Sequence, residues 1–157
     1  MARMTRSGKP DFGILLLLAD QEFVRALRTA TAGQGYVDQG RSDGFVLRTL
    51  SAGPTTISGL AERLEITKQG ASQIVDDMER RGYVERRPDP SDARARLLQL
   101  TARGEAALAA ARKFHQAYER KLRRKYGDDA IDTVRGVLSD MAGEAQISTP
   151  HFRALMF

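Results

Sequence analysis

Residues 56–82 read TISGLAERLEITKQGASQIVDDMERRG, two short helical patterns with a tight connection between them. In the first, Ile57, Leu60, Ala61 and Leu64 fall at i, i+3, i+4 and i+7, one face of a helix. Ile66 plugs the turn, and a second run carries Ala71, Ile74, Val75 and Met78 inward while Lys68, Gln69, Ser72 and Gln73 face out. Thr56 and Thr67 stand where N-caps belong, and Gly59 and Gly70 leave both capping boxes incomplete. Helices this short fold only against a larger body. The pattern fits a helix-turn-helix, whose second helix enters the DNA major groove by its N-terminal half. It equally fits two core helices with an ordinary polar exterior. In the first reading Gln69, Ser72 and Gln73 reach base edges, Lys68 reaches guanine or phosphate, and Thr56 and Thr67 lie near phosphates.

The next residues favour the first reading. Tyr83 to Arg87 reads as a strand, Pro88-Asp89-Pro90-Ser91-Asp92 as a turn, and Ala95 to Leu100 as a returning strand with Leu98 and Leu100 on one face. A hairpin directly after a recognition helix is a wing. Arg94 near its tip suits a narrow minor groove, where negative potential concentrates, and Asp92 is placed to hold that guanidinium.

Three runs carry a family resemblance: Leu60-Ala61-Glu62-Arg63-Leu64, the helix ending Met78-Glu79-Arg80-Arg81-Gly82-Tyr83-Val84, and the wing from Asp92 to Gly104. Together they resemble the MarR-type winged-helix transcriptional regulators. The resemblance is close in the middle of the chain and extends to the ends only in length and helical character. It implies a homodimer on a pseudo-palindromic operator, usually a repressor and often released by a small aromatic or phenolic ligand. By the same resemblance Arg94 is the minor-groove arginine and Asp92 its partner. Ala93 departs from the pattern, because many relatives carry a second arginine there.

The 157 residues amount to one domain, or one domain with an extension, long enough to bury a core. Lys+Arg 25 against Asp+Glu 20 gives a formal charge of +5, on the nucleic-acid-binding side of neutral. Cysteine is absent, which removes disulfides, thiolate zinc sites and a cysteine-based peroxide switch. Arg3, Arg6 and Lys9 followed by the apolar run from Phe12 to Ala19 imitate a signal peptide. Asp20, Glu22, Arg25 and Arg28 then interrupt, and the helical pattern continues through Phe23, Val24 and Leu27, so a cytoplasmic product is expected. The run is also shorter than the roughly 20 residues a membrane span needs. It reads instead as a long helix, apolar around much of its circumference and covered on several sides.

Gly33-Gln34-Gly35 ends that helix, and helical pattern is expected to resume from Tyr36 to Leu50. After the wing, Thr101 caps a long helix whose later part is basic, from Arg120 to Lys125. Those cations either touch DNA phosphate or answer the dipole at the helix C-terminus. The last helix carries Ile131, Val134, Leu138, Met141 and Ala145 at spacings of three and four, a seam resembling a helix–helix interface. Phe152, Leu155, Met156 and Phe157 close the tail. With the over-apolar first helix, they suggest that both ends fold onto a partner subunit. The expected fold is mainly α with a small β-hairpin wing: residues 36–101 as a winged helix-turn-helix DNA-binding domain, 1–35 and 102–157 as a helical dimerisation region.

Ligand chemistry is fainter. His115 sits among aromatics, and with Tyr36, Phe45 and Tyr118 it forms a candidate pocket for a phenol or carboxylate; a satisfied structural histidine fits as well. No His, Asp or Glu cluster has metal-ligand spacing, and no cofactor is expected. The rival class is a metal-dependent nuclease built on Asp76, Asp77 and Glu79 with Asp89 and Asp92. Against it, Asp76 and Asp77 project about 100° apart on a helix, Arg80 and Arg81 neutralise their surroundings, and no phosphate loop or nucleophile elbow is recognisable. A winged helix used only to bind another protein is the third alternative. The expected partners are duplex DNA with an inverted repeat, a second copy of the chain and a small-molecule effector, with no membrane and no catalytic residue.

Overall fold

The computed structural model describes residues 9–40 and 42–143. The basic start, Ala145 of the seam and the apolar tail with His151 lie outside the described residues. Eight elements follow one another: α1 (Phe12–Ala32), α2 (Asp43–Leu50), α3 (Ile57–Arg63), α4 (Lys68–Arg80), β1 (Val84–Asp89), β2 (Asp92–Leu100), α5 (Ala102–Tyr126) and α6 (Asp128–Ala142). The fold is mainly helical with one antiparallel hairpin, a winged helix-turn-helix carried by long flanking helices.

Three helices begin with the same device. Thr56, Thr67 and Thr101 have extended backbone and accept, through the hydroxyl, the N–H of the residue three further on, which is glycine each time. Each threonine so satisfies one of the orphan N–H groups at a helix start. The ends of α3 and α4 also match. Ile66 N–H returns to the Ala61 carbonyl at 3.0 Å and Tyr83 N–H to that of Met78 at 2.9 Å. Both reversals pass through a left-handed residue, Glu65 at φ 51° and Gly82 at φ 81°. Such a reversal throws an apolar residue back onto the last turn, which is how Ile66 comes to plug the turn between α3 and α4.

One boundary differs from the sequence reading. The second helix starts at Asp43 rather than near Tyr36. The preceding loop is held instead by one local and one tertiary bond: Gly40 N–H donates to the Asp43 carboxylate at 2.7 Å, and the Asp38 carbonyl accepts from Arg81 Nη1 at 2.7 Å. The hairpin differs too. Its strands run past the expected turn, pairing Val84 with Leu100 through to Pro88 with Arg96, and the register then shifts so that Asp89 faces Asp92. Pro88 has no N–H for the ladder, and an irregularity beside it is the ordinary consequence. Thr55 and Leu98 exchange both backbone hydrogen bonds, at 3.2 and 2.7 Å, which ties the segment before α3 to the wing.

The core lies between these elements. Val46, Leu47 and Leu50 from α2, Leu60 and Leu64 from α3, Val75 and Met78 from α4, Tyr83, Val84 and Leu98 from the hairpin, and Ala107 and Leu108 from α5 are all buried. Each large aliphatic side chain removed from water contributes about 1.5–3 kcal/mol, which orders helices as short as α3. The N-terminus of α5 rests on the backbone that leaves α4: a Cβ at Gly104 would lie 2.1 Å from the Tyr83 carbonyl oxygen. The helix-turn-helix is thereby seated on the long helix.

Candidate nucleic-acid interface

The face of α4 divides by chemistry. Its first turns carry Lys68, Gln69 and Gln73 exposed and Ser72 half-buried. Among the described residues none of these four side chains is engaged in an intramolecular hydrogen bond or ion pair. Thr67 is exposed and Thr56 half-buried, and both hydroxyls are committed to their caps at 3.0 and 3.1 Å. The later turns carry carboxylates, each held by arginine. Asp76 and Glu79 bind Arg86, the former at 2.5 Å; Asp77 binds Arg80 at 3.1 Å and Arg81 at 2.6 Å. Uncommitted donors thus occupy the N-terminal half, where the helix dipole already attracts anions, and the negative charges behind them are neutralised.

The wing shows the same economy. The Asp89 carboxylate accepts the Ser91 N–H and hydroxyl at 2.8 and 2.7 Å, which shapes the tip and lowers the Asp89 pKa. Asp92 grips Arg94 by the backbone N–H at 2.9 Å, not by the guanidinium as the sequence suggested. The short carboxylate is occupied by its own local turn, and the Arg94 guanidinium has no partner among the described residues. Arg96 is likewise exposed and without a partner there. The sequence carries a signal for it, since the spacing Arg94-x-Arg96 is the period of one strand face.

A second group was invisible to sequence reasoning. Arg81 at the end of α4 makes a two-pronged bond to the buried Asp43 carboxylate, its Nη2 reaching Oδ1 at 3.0 Å, and its Nε donates to Asp77 at 2.9 Å. Both acids hold the Arg81 charge and raise its pKa. Beside it the Tyr83 hydroxyl donates to Asp38, and Arg103 of α5 lies 4.7 Å above the Tyr83 ring. Burial, and then the bond to Asp38, push the Tyr83 phenol up to about 12. The same bond lowers the Asp38 pKa. Asp77 is one helical turn from Arg81, but Arg81 and Asp43, Tyr83 and Asp38, and Arg103 and Asp38 are 38, 45 and 65 positions apart, and no local motif links those pairs.

The four pocket candidates are not gathered around one cavity. Tyr36 stacks on Tyr83 beneath Arg103, and Phe45 packs against the core. His115 and Tyr118 join Phe23 and Phe114 in a ring cluster between α1 and α5. Burial, and then the nearby Arg48, hold the His115 imidazole below its ordinary value. A cavity of about 550 Å³ opens elsewhere, lined among others by Leu50, Ser51, Pro54, Leu100, Leu108 and Arg112, and by none of the four. In the basic stretch of α5, Arg123 binds Glu119, Asp128 and Asp132 at 2.7–3.2 Å and so fastens α5 to α6. Arg120, Lys121 and Arg124 remain exposed. No group of His, Asp or Glu among the described residues could hold a metal ion, and no helix there is long and apolar enough to cross a membrane.

With this geometry in hand, the comparisons fall in one direction. Residues 40–95, the stretch from just before α2 to the returning strand of the wing, match the MarR family. The chain is similar in structure to a MarR mutant from E. coli complexed with operator DNA, at 23% identity over 83% of this chain and 93% of that one, TM-score 0.64. It is similar to the transcriptional repressor CouR bound to a 23-mer DNA duplex, at 27% identity over 85% and 93%, TM-score 0.64. The YusO protein from Bacillus subtilis is similar at 20% identity over 84% and 92%, TM-score 0.64. No curated protein matches the chain. The motif read at residues 56–82 and the wing's first strand and tip fall within the stretch that matches the MarR family, and the chain has the winged helix-turn-helix fold of these structures.

Proposed function

We propose that the protein is a DNA-binding transcriptional regulator acting as a homodimer on an inverted repeat, most simply a repressor relieved by a small aromatic or phenolic ligand. Residues 36–101 form its DNA-binding domain, and residues 1–35 and 102–157 its dimerisation region. One observation carries the reading: the first turns of α4 hold Lys68, Gln69, Ser72 and Gln73 without side-chain partners among the described residues, next to a wing whose Arg94 guanidinium is also without one there. Glutamine and serine read base edges in the major groove, and Lys68 reaches guanine or phosphate. Thr56 and Thr67 sit near phosphates, and Arg94 enters the minor groove with its backbone steadied by Asp92. The structures of E. coli MarR complexed with operator DNA and of CouR bound to a DNA duplex, similar in fold to this chain, support duplex DNA as the partner.

Of the carboxylates that a nuclease would need, Asp76, Asp77 and Glu79 are bound to arginine side chains, and Asp89 and Asp92 accept N–H groups of their own turn, which favours this reading over a metal-dependent one. The test is binding of the purified chain to the DNA upstream of its coding region at physiological salt, followed by release with a panel of small aromatic acids. Arg94→Ala should weaken binding by about 1–3 kcal/mol, roughly 5- to 150-fold. Unchanged affinity removes Arg94 from the interface, and a footprint with no protected sequence ends the regulator reading. Two symmetry-related copies of α4 require half-site centres one helical turn apart, about 34–36 Å, or a multiple of that.

A further inference from the structure

Arg48 of α2 and His115 of α5 meet where the helix-turn-helix leans on the long helix. Arg48 Nη2 lies 3.0 Å from His115 Nε2. A guanidinium only donates, so this contact exists only while Nε2 carries a lone pair, in a neutral imidazole. Among the described residues nothing around it would replace that contact. From α1 the Phe23 ring lies 5.0 Å from the imidazole, and Phe114 of α5 lies 6.2 Å away. The charged side chains of α1 nearest Phe23 in sequence, Glu22 and Arg25, bind each other in solvent. Arg112, one turn before His115, is a second cation that acts on Arg48 and donates to the Ser51 hydroxyl at 3.3 Å. Glu119, one turn after it, is bound to Arg123 and Arg135. Among the described residues no carboxylate reaches the imidazole or Arg48.

We propose that the Arg48–His115 hydrogen bond is a proton-sensitive latch between α2 and α5, closed while the imidazole is neutral and released when it takes a proton. Protonation removes the only acceptor and sets two cations 3.0 Å apart beside a third, Arg112, with no acid to separate them. The contact then breaks by repulsion. Because α2 carries Val46, Leu47 and Leu50 into the core beneath α3, release shifts the helix-turn-helix relative to α5. Burial and Arg48 hold the folded imidazole below the ordinary value of 6.5. The latch therefore contributes its full stability above pH 6.5 and loses it as pH falls through the lower folded value.

Two measurements on the full chain test this, and neither contains DNA, so the outcome is separate from that of the regulator reading. The first is an NMR titration of the two imidazoles, with His115→Gln identifying the signal of His115. A midpoint below 6.5 with Nε2 unprotonated supports the latch, and a midpoint at or above 6.5 overturns it. The second uses the absence of native cysteine: spin labels at Glu62→Cys on α3 and Lys113→Cys on α5, diluted with unlabelled chain, report the distance within one protomer. Between about pH 7.5 and about pH 5 that distribution should shift in the native background and stay fixed in His115→Gln, whose amide oxygen accepts at both pH values. Arg48→Met, which removes the donor, must abolish the shift as well and serves if the glutamine variant fails to fold. An unchanged distribution with native His115, or an equal shift in either variant, overturns the proposal.

Discussion

The Asp43 carboxylate is buried and bonded through both oxygens. Its side chain is 4% exposed, Arg81 binds both of its oxygens, and Gly40 N–H donates to one of them. Asp43→Ala takes from Arg81, itself 16% exposed, its buried partner and leaves it Asp77 and the Asp38 carbonyl, so the loss should be about 2 kcal/mol, short of the roughly 3–5 kcal/mol of an uncompensated buried charge. Asp77→Ala should cost under about 1 kcal/mol, because that carboxylate is 45% exposed and leaves Arg81 its better partner. Urea denaturation of both variants checks the contrast, and equal losses would show that Arg81 depends on neither acid in particular. Tyr83 offers a second test. Its phenol, fully buried and hydrogen-bonded to Asp38, is pushed up to about 12 from 10.0. A raised pKa in the folded state favours the protonated form, so this stability is complete below pH 10 and is lost as pH rises through about 12. In ultraviolet titration one of the four tyrosines should ionise late, and Tyr83→Phe should remove that late step.

Between elements, the decisive contact is backbone to backbone. With a Cβ at position 104 lying 2.1 Å from the Tyr83 carbonyl oxygen and 3.1 Å from its carbon, Gly104→Ala must drive α5 off the end of α4. Neither backbone can rotate away, so the variant should lose about 3 kcal/mol, the upper end of overpacking costs, as a lowered thermal midpoint. Gly59→Ala is the control. A Cβ there would meet the Thr55 hydroxyl at 2.3 Å, a group that can turn aside, so its loss should be smaller. The same contrast explains what could be read ahead of the structure. The spacing of Leu60, Leu64, Val75 and Met78 and the caps at Thr56, Thr67 and Thr101 are local, and local spacing marks α3, α4 and the start of α5. Asp43, Arg81, Tyr83 and Arg103 meet only through the tertiary fold, so no period or motif announces them. Nor does any announce that residues 36–40 forgo helix for bonds to Arg81 and Tyr83. The aromatic residues are a further case, because Tyr36 packs against Tyr83 and Tyr118 against Phe23, pairings that no sequence spacing announces.

At the scale of the whole molecule the apolar surface is unevenly distributed. Within the helix-turn-helix Leu60, Leu64, Val75 and Met78 are fully buried. On α1, by contrast, Phe12, Ile14, Leu15, Leu17 and Leu18 are 45–61% exposed, and on α6 Val134, Val137, Leu138 and Met141 are 46–54% exposed. Two helices thus leave nine large apolar side chains about half exposed, the kind of surface that marks an interaction site. A second copy of the chain is the partner that the regulator reading requires, and an isologous interface would bring the same two helices of each protomer into play. Covering an already half-exposed leucine recovers roughly 1 kcal/mol, so several such residues on each side outweigh the cost of association, about 4–15 kcal/mol. Sedimentation velocity on the native chain should therefore give a dimer at micromolar concentration. Leu17→Glu and Leu138→Glu each set a charge into the contact from both protomers at once, which should return the chain to monomer with its α-helical circular dichroism retained. A native chain that sediments as a monomer would leave α1 and α6 without their partner. A dimer indifferent to both substitutions would move the interface elsewhere.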